Sequence, residues 1–282
     1  MQTYRFVRSD GAEFTFCNKS KNNIGIIDVA GLSSVPINIQ SVTGVGQHGA
    51  TTTGVHLGIR TITFSLDLKS GSAEKNKKAR RDLLAFFNPL STYRLYINEE
   101  YYLDVRMSVG FDLTEKELPF VGFGVTFVAD NPFIQKVAKT VHLGTEIPMK
   151  TYPFVYEDTI IFSVSAEEME IIVNGAADTS PVIRFYGPAT KPYVENSATG
   201  QKITINTDIP EKAYLEIVSG YGKKSVKLHL ADGTVKNVFS YIAEGSEFIT
   251  LQAGYNFLTY GAETMDASAG AEVSYNEYYS NI

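Results

Sequence analysis

Four histidines, His48, His56, His142 and His229, are the only imidazoles in the chain. None lies three to five residues from another. No cysteine or carboxylate stands at metal-ligand spacing beside them, so a zinc or iron site would need donors from distant segments. The one cysteine, Cys17, ends the apolar run Phe14-Thr15-Phe16-Cys17. It cannot form an intramolecular disulfide, which suits a reducing cytoplasm. With no basic neighbour to favour the thiolate, its setting predicts a small buried hydrophobe rather than a nucleophile.

Carboxylates cluster at Glu115/Glu117 and at Glu167/Glu168/Glu170. Glycosidase chemistry needs two carboxyls facing each other across a cleft, and neighbours on one strand cannot do that alone. Such clusters read as exposed loops. Gly44-Val45-Gly46-Gln47-His48-Gly49 matches G-x-G-x-x-G literally. A dinucleotide site needs a helix starting inside that motif, and Ala50-Thr51-Thr52-Thr53-Gly54 instead predicts a loop running into a strand. Asn18-Lys19-Ser20 is a glycosylation sequon, read as chance because the first ten residues lack the apolar core of a secretion signal. No P-loop, nucleophile elbow, H-E-x-x-H or EF-hand pattern occurs. No catalytic, cofactor-binding or metal-ligating residue is nominated, and no enzyme activity is expected.

The elements that would carry these residues are mostly short strands. Tyr4–Val7 and Phe14–Phe16 flank Ser9-Asp10-Gly11, a hairpin signal. From Thr53 to Lys69 the apolar side chains fall on odd positions (Val55, Leu57, Ile59) and then on even ones (Ile62, Phe64, Leu66, Leu68). That flip around Arg60 predicts a bulge or a strand that changes its packing partner. Further strands are expected at 93–97, 101–107 and 121–128. One helix is predicted, Ala73 to Phe87, with Ser72 as N-cap and a stripe of Ala79, Leu83, Phe86 and Phe87. Asn88-Pro89 stops it. Its other face carries Lys75, Lys77, Lys78, Arg80 and Arg81. This reads as a solvated face opposite the core stripe, with nucleic-acid contact as the sharper alternative. Beyond residue 150 the pattern is nearly all β: 159–164, 168–173, 182–186, 203–206, 214–218, 225–230, 234–242, 256–260 and 271–279. Evenly spaced short strands suggest a sandwich.

The composition fits this reading. The chain has 282 residues, 44% hydrophobic and 20% charged, which argues against disorder and makes about two domains reasonable. No run of about 18 apolar residues occurs, so membrane insertion is not expected. Residues 1–140 hold 16 Lys and Arg against 13 Asp and Glu, whereas residues 141–282 hold 9 against 18. The charge change and the Gly144–Pro148 stretch place a domain boundary near 135–150. The lack of Trp weakens a sugar-binding reading, though 17 Tyr could supply stacking surfaces.

Several ordered stretches resemble the distal tail proteins of long-tailed, siphovirus-type phages. They are Gly58-Ile59-Arg60-Thr61-Ile62-Thr63-Phe64, the helix end Leu83-Leu84-Ala85-Phe86-Phe87-Asn88-Pro89, and Val125 to Phe133. The match continues with Pro181 to Gly187, Asn196-Ser197-Ala198-Thr199-Gly200, Lys227 to Asn237 around Asp232-Gly233, and Phe248 to Asn256. The resemblance implies a mainly β chain. Residues 1–140 would form a tail-tube-like β-sandwich with one flanking helix, closing into a homo-oligomeric ring of six. Residues 141–282 would form a galectin-like β-sandwich. The implied role is a virion hub at the tail tip or baseplate, made in the bacterial host cytoplasm. Its implied partners are the tail-tube protein, the tail-associated baseplate hub protein and a receptor-binding protein. Genome DNA would pass through the ring without specific binding, and a basic lumen would hinder that passage. The Lys75–Arg81 face is therefore expected outside the channel. Members often carry a basic residue in the last strand, and Val273 to Tyr279 has none. A carbohydrate-binding host-adhesion module is the alternative reading.

Overall fold

The computed structural model describes residues 2–17, 24–68, 72–111, 121–136, 139–144, 168–220, 222–266 and 269–282. The sequon, Glu115, Glu117, Glu167 and the strand expected at 159–164 lie outside these residues. The chain folds as two compact units, Met1–Val137 with Tyr279–Ile282, and Ala138–Tyr278. The last four residues thus belong to the first unit, whereas the sequence alone assigns the chain end to the second half.

The first unit contains β1 (Thr3–Arg8), β2 (Glu13–Cys17), β3 (Ile24–Ala30), β4 (Ile37–Val42), β5 (Thr51–Leu57) and β6 (Arg60–Leu68). Helix α1 (Ala73–Phe86) follows, then β7 (Thr92–Ile97), β8 (Tyr101–Val109), β9 (Val121–Ala129) and β10 (Ile134–Lys136). The main sheet runs β2-β1-β7-β8-β9-β6-β3, with β10 on β8. Its edge strands β2 and β3 approach each other, so the sheet curls around one core. Antiparallel register places Ile62 opposite Phe127, Phe64 opposite Val125 and Leu66 opposite Phe123, all buried. Period-two alternation therefore turns every apolar residue of this β6–β9 set inward. Phe6 sits at the centre, its ring 4.8 Å from Phe127, 5.1 Å from Phe87, 5.5 Å from Phe16 and 5.6 Å from Phe64. Each such pair contributes roughly 0.5–1.5 kcal/mol beyond burial.

The β1–β2 turn needs Gly11, whose φ is +86°, and Asp10 Oδ1 accepts the Ala12 N–H at 3.1 Å. Helix α1 buries Ala79, Leu83 and Phe86 against this core. The Ser72 carbonyl accepts the first helical bond, from the Asn76 N–H at 3.1 Å. The helix ends at Phe86, one residue before the expected end, and the Phe87 N–H bonds back to Leu83 O at 3.0 Å. Lys75, Lys77, Lys78 and Arg81 are exposed as expected, whereas Arg80 is half-buried. Cys17 is half-buried rather than buried, because its neighbour Phe16 takes the inward position on β2.

The second unit comprises β11 (Lys139–Gly144), β12 (Met169–Val173), β13 (Val182–Tyr186), β14 (Ala189–Thr190), β15 (Tyr193–Asn196), β16 (Gln201–Thr204) and β17 (Asp208–Ile209). It continues with β18 (Tyr214–Val218), β19 (Ser225–His229), β20 (Val235–Asn237), β21 (Gly254–Gly261), β22 (Thr264–Met265) and β23 (Gly270–Tyr275). A six-stranded sheet, β11-β23-β13-β18-β19-β20, and a four-stranded sheet, β12-β21-β15-β16, share one buried cluster. Phe185 from the first meets Tyr260 from the second at 5.7 Å, as the two layers of a sandwich require. The strand expected over 234–242 is instead β20 followed by a 3₁₀ turn, Phe239–Tyr241. Asn237 Oδ1 accepts the Phe239 N–H at 3.0 Å and turns the chain out of the sheet.

Candidate functional site

The apolar flip around Arg60 marks a change of partner. β6 belongs to the main sheet, whereas β5, among the described residues, pairs with β4 in a separate two-stranded ribbon. This arm rises between β3 and β6. Ile37 lies opposite Leu57, and Ile39 opposite Val55. Directly opposed residues share a face of an antiparallel pair, so these four form one apolar face. Asn38 opposite His56 and Gln40 opposite Gly54 form the other. Ile37 is 61% exposed, Ile39 64% and Val55 63%. The loop Gly44–Gly49 is the tip of the arm, with Gly46 and Gly49 at positive φ, and no helix follows it. An isolated two-stranded hairpin is marginal in water, and this ribbon exposes Ile37, Ile39 and Val55 on one face.

The histidines stand on separate elements. His48 sits on the arm tip, His56 on the polar face of β5, His142 on β11 and His229 on β19. Glu168 and Glu170 are exposed, and Glu168 accepts a hydrogen bond from the Ser197 hydroxyl. Two cross-strand rows occupy the outer face of the six-stranded sheet. In one, Arg184 Nε donates to Glu216 at 3.0 Å and Arg184 Nη1 to Glu272 at 3.4 Å. In the other, Tyr186, Tyr214 and His229 stand side by side. Burial, helped by the hydrogen bond its hydroxyl donates to Glu272 at 2.8 Å, pushes the Tyr186 phenol up to about 12. Tyr214 and His229 stack at 4.4 Å with 5° between planes. Stacking covers one face of each of these two rings.

Two stretches quoted for the family resemblance meet inside the second unit. Asn196 and Asn256 are both fully buried. Asn196 Nδ2 donates to Asn256 Oδ1 and to Thr250 O, each at 3.0 Å. Asn256 Nδ2 donates to Gln252 O at 2.8 Å, while its Oδ1 accepts the Gln252 N–H at 2.9 Å. Reading residue types alone missed this pair, although the turn residues Ser197–Gly200 and Gly254 beside the two asparagines are a usable signal.

The chain comprises a curled β unit bearing an exposed amphipathic ribbon, and a two-sheet sandwich. Two family models match the chain. The phage tail protein RIFT-related domain matches residues 10–129, and the siphovirus-type tail component, C-terminal domain, matches residues 174–279. The chain belongs to the siphovirus-type distal tail proteins, structural components of the phage tail. Its fold is similar to that of the SPP1 Dit protein, described as a paradigm of the hub adsorption apparatus in Gram-positive infecting phages. That match has 13% identity, covers 98% of both chains and has a TM-score of 0.70. Chains of the phage p2 baseplate in its activated conformation, with Sr and with Ca, match at 12% identity over 100% of both chains. Their TM-scores are 0.53 and 0.54. No curated protein sequence matches this chain.

Proposed function

We propose that this protein is a ring-forming hub of the tail tip that performs no reaction of its own. The first unit, about residues 1–140, closes a homo-oligomeric ring of six, and the second, about 141–282, is a galectin-like sandwich that offers docking surfaces. The partners in this reading are the tail-tube protein, the tail-associated baseplate hub protein and a receptor-binding protein. The observation that carries it is the β4–β5 arm. Covering Ile37, Ile39 and Val55 contributes roughly 1–2 kcal/mol each at their present exposure, and a second copy of this chain is the occupant. A ring supplies one neighbour per arm and leaves no arm uncovered. The basic face of α1 stays outside the channel, because lysines and arginines lining it would bind phosphates of the passing genome.

The test is a mass measurement of the full chain over a range of concentrations, together with glycan binding. A ring-sized species that grows with concentration and has no glycan affinity supports the hub. A species that stays monomeric and binds cell-wall glycan identifies an adhesion module instead.

A further inference from the structure

Arg60 is fully buried, yet among the described residues all of its hydrogen-bond partners are main-chain carbonyls. Its guanidinium is spent on main-chain carbonyls. Nε donates to Pro132 O at 2.7 Å. Nη1 donates to Gly31 O at 2.7 Å and Leu32 O at 2.9 Å, with Ser34 O at 3.4 Å. Nη2 donates to Ser280 O at 2.5 Å.

These carbonyls come from three places. Gly31, Leu32 and Ser34 form the segment that leaves β3 and enters the arm. Pro132 follows β9. Ser280 lies in the final four residues, which belong to the first unit. Arg60 itself begins β6, just after the arm returns. Both roots of the arm and the end of the chain therefore meet at one planar fork of donors, whose fixed geometry a lysine cannot copy. One more observation places Ile282 beside the arm root. A shallow cleft is lined by Tyr4, Ile26, Leu32, Ser33 and Ile282. Gly31, at φ +93°, lies so close to β6 that a Cβ there would meet Thr61 O.

We propose that Arg60 is a positioning residue that uses the Ser280 carbonyl to clamp the root of the β4–β5 arm, so that the carboxyl-terminal segment sets the arm's geometry. The consequence for ring closure rests on the reading of the arm as the contact between copies.

Two truncations of the full chain test the clamp. Ending the chain at Ser280 removes Asn281 and Ile282 but leaves an oxygen acceptor at Arg60, now a carboxylate. Ending it at Tyr279 removes that acceptor as well. Both lose the same cleft contact, so their difference reports on the clamp. Amide hydrogen exchange is read over residues 31–59 and, as the fold control, over β6 and β9. The Tyr279-ended chain is expected to exchange about tenfold or more faster in the arm, where the Gly58 N–H bonds Pro36 O at 2.7 Å, with the control strands unchanged. The Ser280-ended chain should keep the arm's protection. Equal arm exchange in the two chains overturns the clamp whatever happens to ring formation. Faster arm exchange with undiminished ring formation upholds the clamp and removes the arm from the ring contact.

Discussion

At the residue scale, the informative side chains are buried polar ones that hold main chain, and none of them is arranged as a reactive group. Asn196 and Asn256 each satisfy carbonyls and amides that the β15–β16 and β21 turns would leave unpaired. Replacing Asn256 by Ala strands these groups, and a loss of about 2–4 kcal/mol is expected in denaturant unfolding of the second unit. Tyr186 gives a pH signature. Burial first, then its bond to Glu272, raises the folded phenol to about 12, while the unfolded phenol ionises near ~10. Between these values the unfolded chain has lost a proton that the folded chain keeps. The raised pKa therefore stabilises the fold fully below about pH 10, and that contribution falls as pH rises towards 12. Tyr186→Phe should lose less stability than the parent across that window in urea titrations at fixed pH. An identical slope for both proteins would contradict the assigned ionisation.

At the element scale, the proposed hub makes the arm its contact between copies, so the arm's exposed side chains contribute to assembly rather than to the fold. The double substitution Ile39→Lys with Val55→Lys should leave the melting temperature within a degree or two, since both side chains are already exposed. The same protein should remain monomeric where the parent forms rings, as read by light scattering. Much of this was legible beforehand. Even-numbered apolar residues in Ile62–Leu68 and the Val125–Phe127 pattern predict β6 and β9, and the flip at Arg60 foretells the change of partner. The β4 strand was missed although Ile37-Asn38-Ile39-Gln40 alternates with period two. What the pattern does not show is that β4 pairs with β5 in a ribbon apart from the main sheet. The 3₁₀ turn at Phe239–Tyr241 was hidden for another reason. A single Asn237 side-chain bond ends the strand there, against an apolar pattern that would continue it. Nor does Arg60 announce its role by type, since five acceptors from distant segments converge only after folding.

At the scale of the whole molecule, two separate cores account for the two family matches, and the charge difference between the halves follows the same division. The first unit carries the arm and the basic face of α1, and the acidic excess lies beyond it. In the proposed hub, specificity lies in which apolar and charged faces remain uncovered until copies meet. The most direct test is electron cryomicroscopy of the full chain, concentrated and mixed with its tail-tube protein. The predicted result is a closed ring of six copies in which the Ile37, Ile39, Val55 and Leu57 face of each arm rests on a neighbouring copy, with the Lys75–Arg81 face outside the channel. A ring whose arms stand free in solvent, or a preparation with no ring at any concentration, would contradict the account.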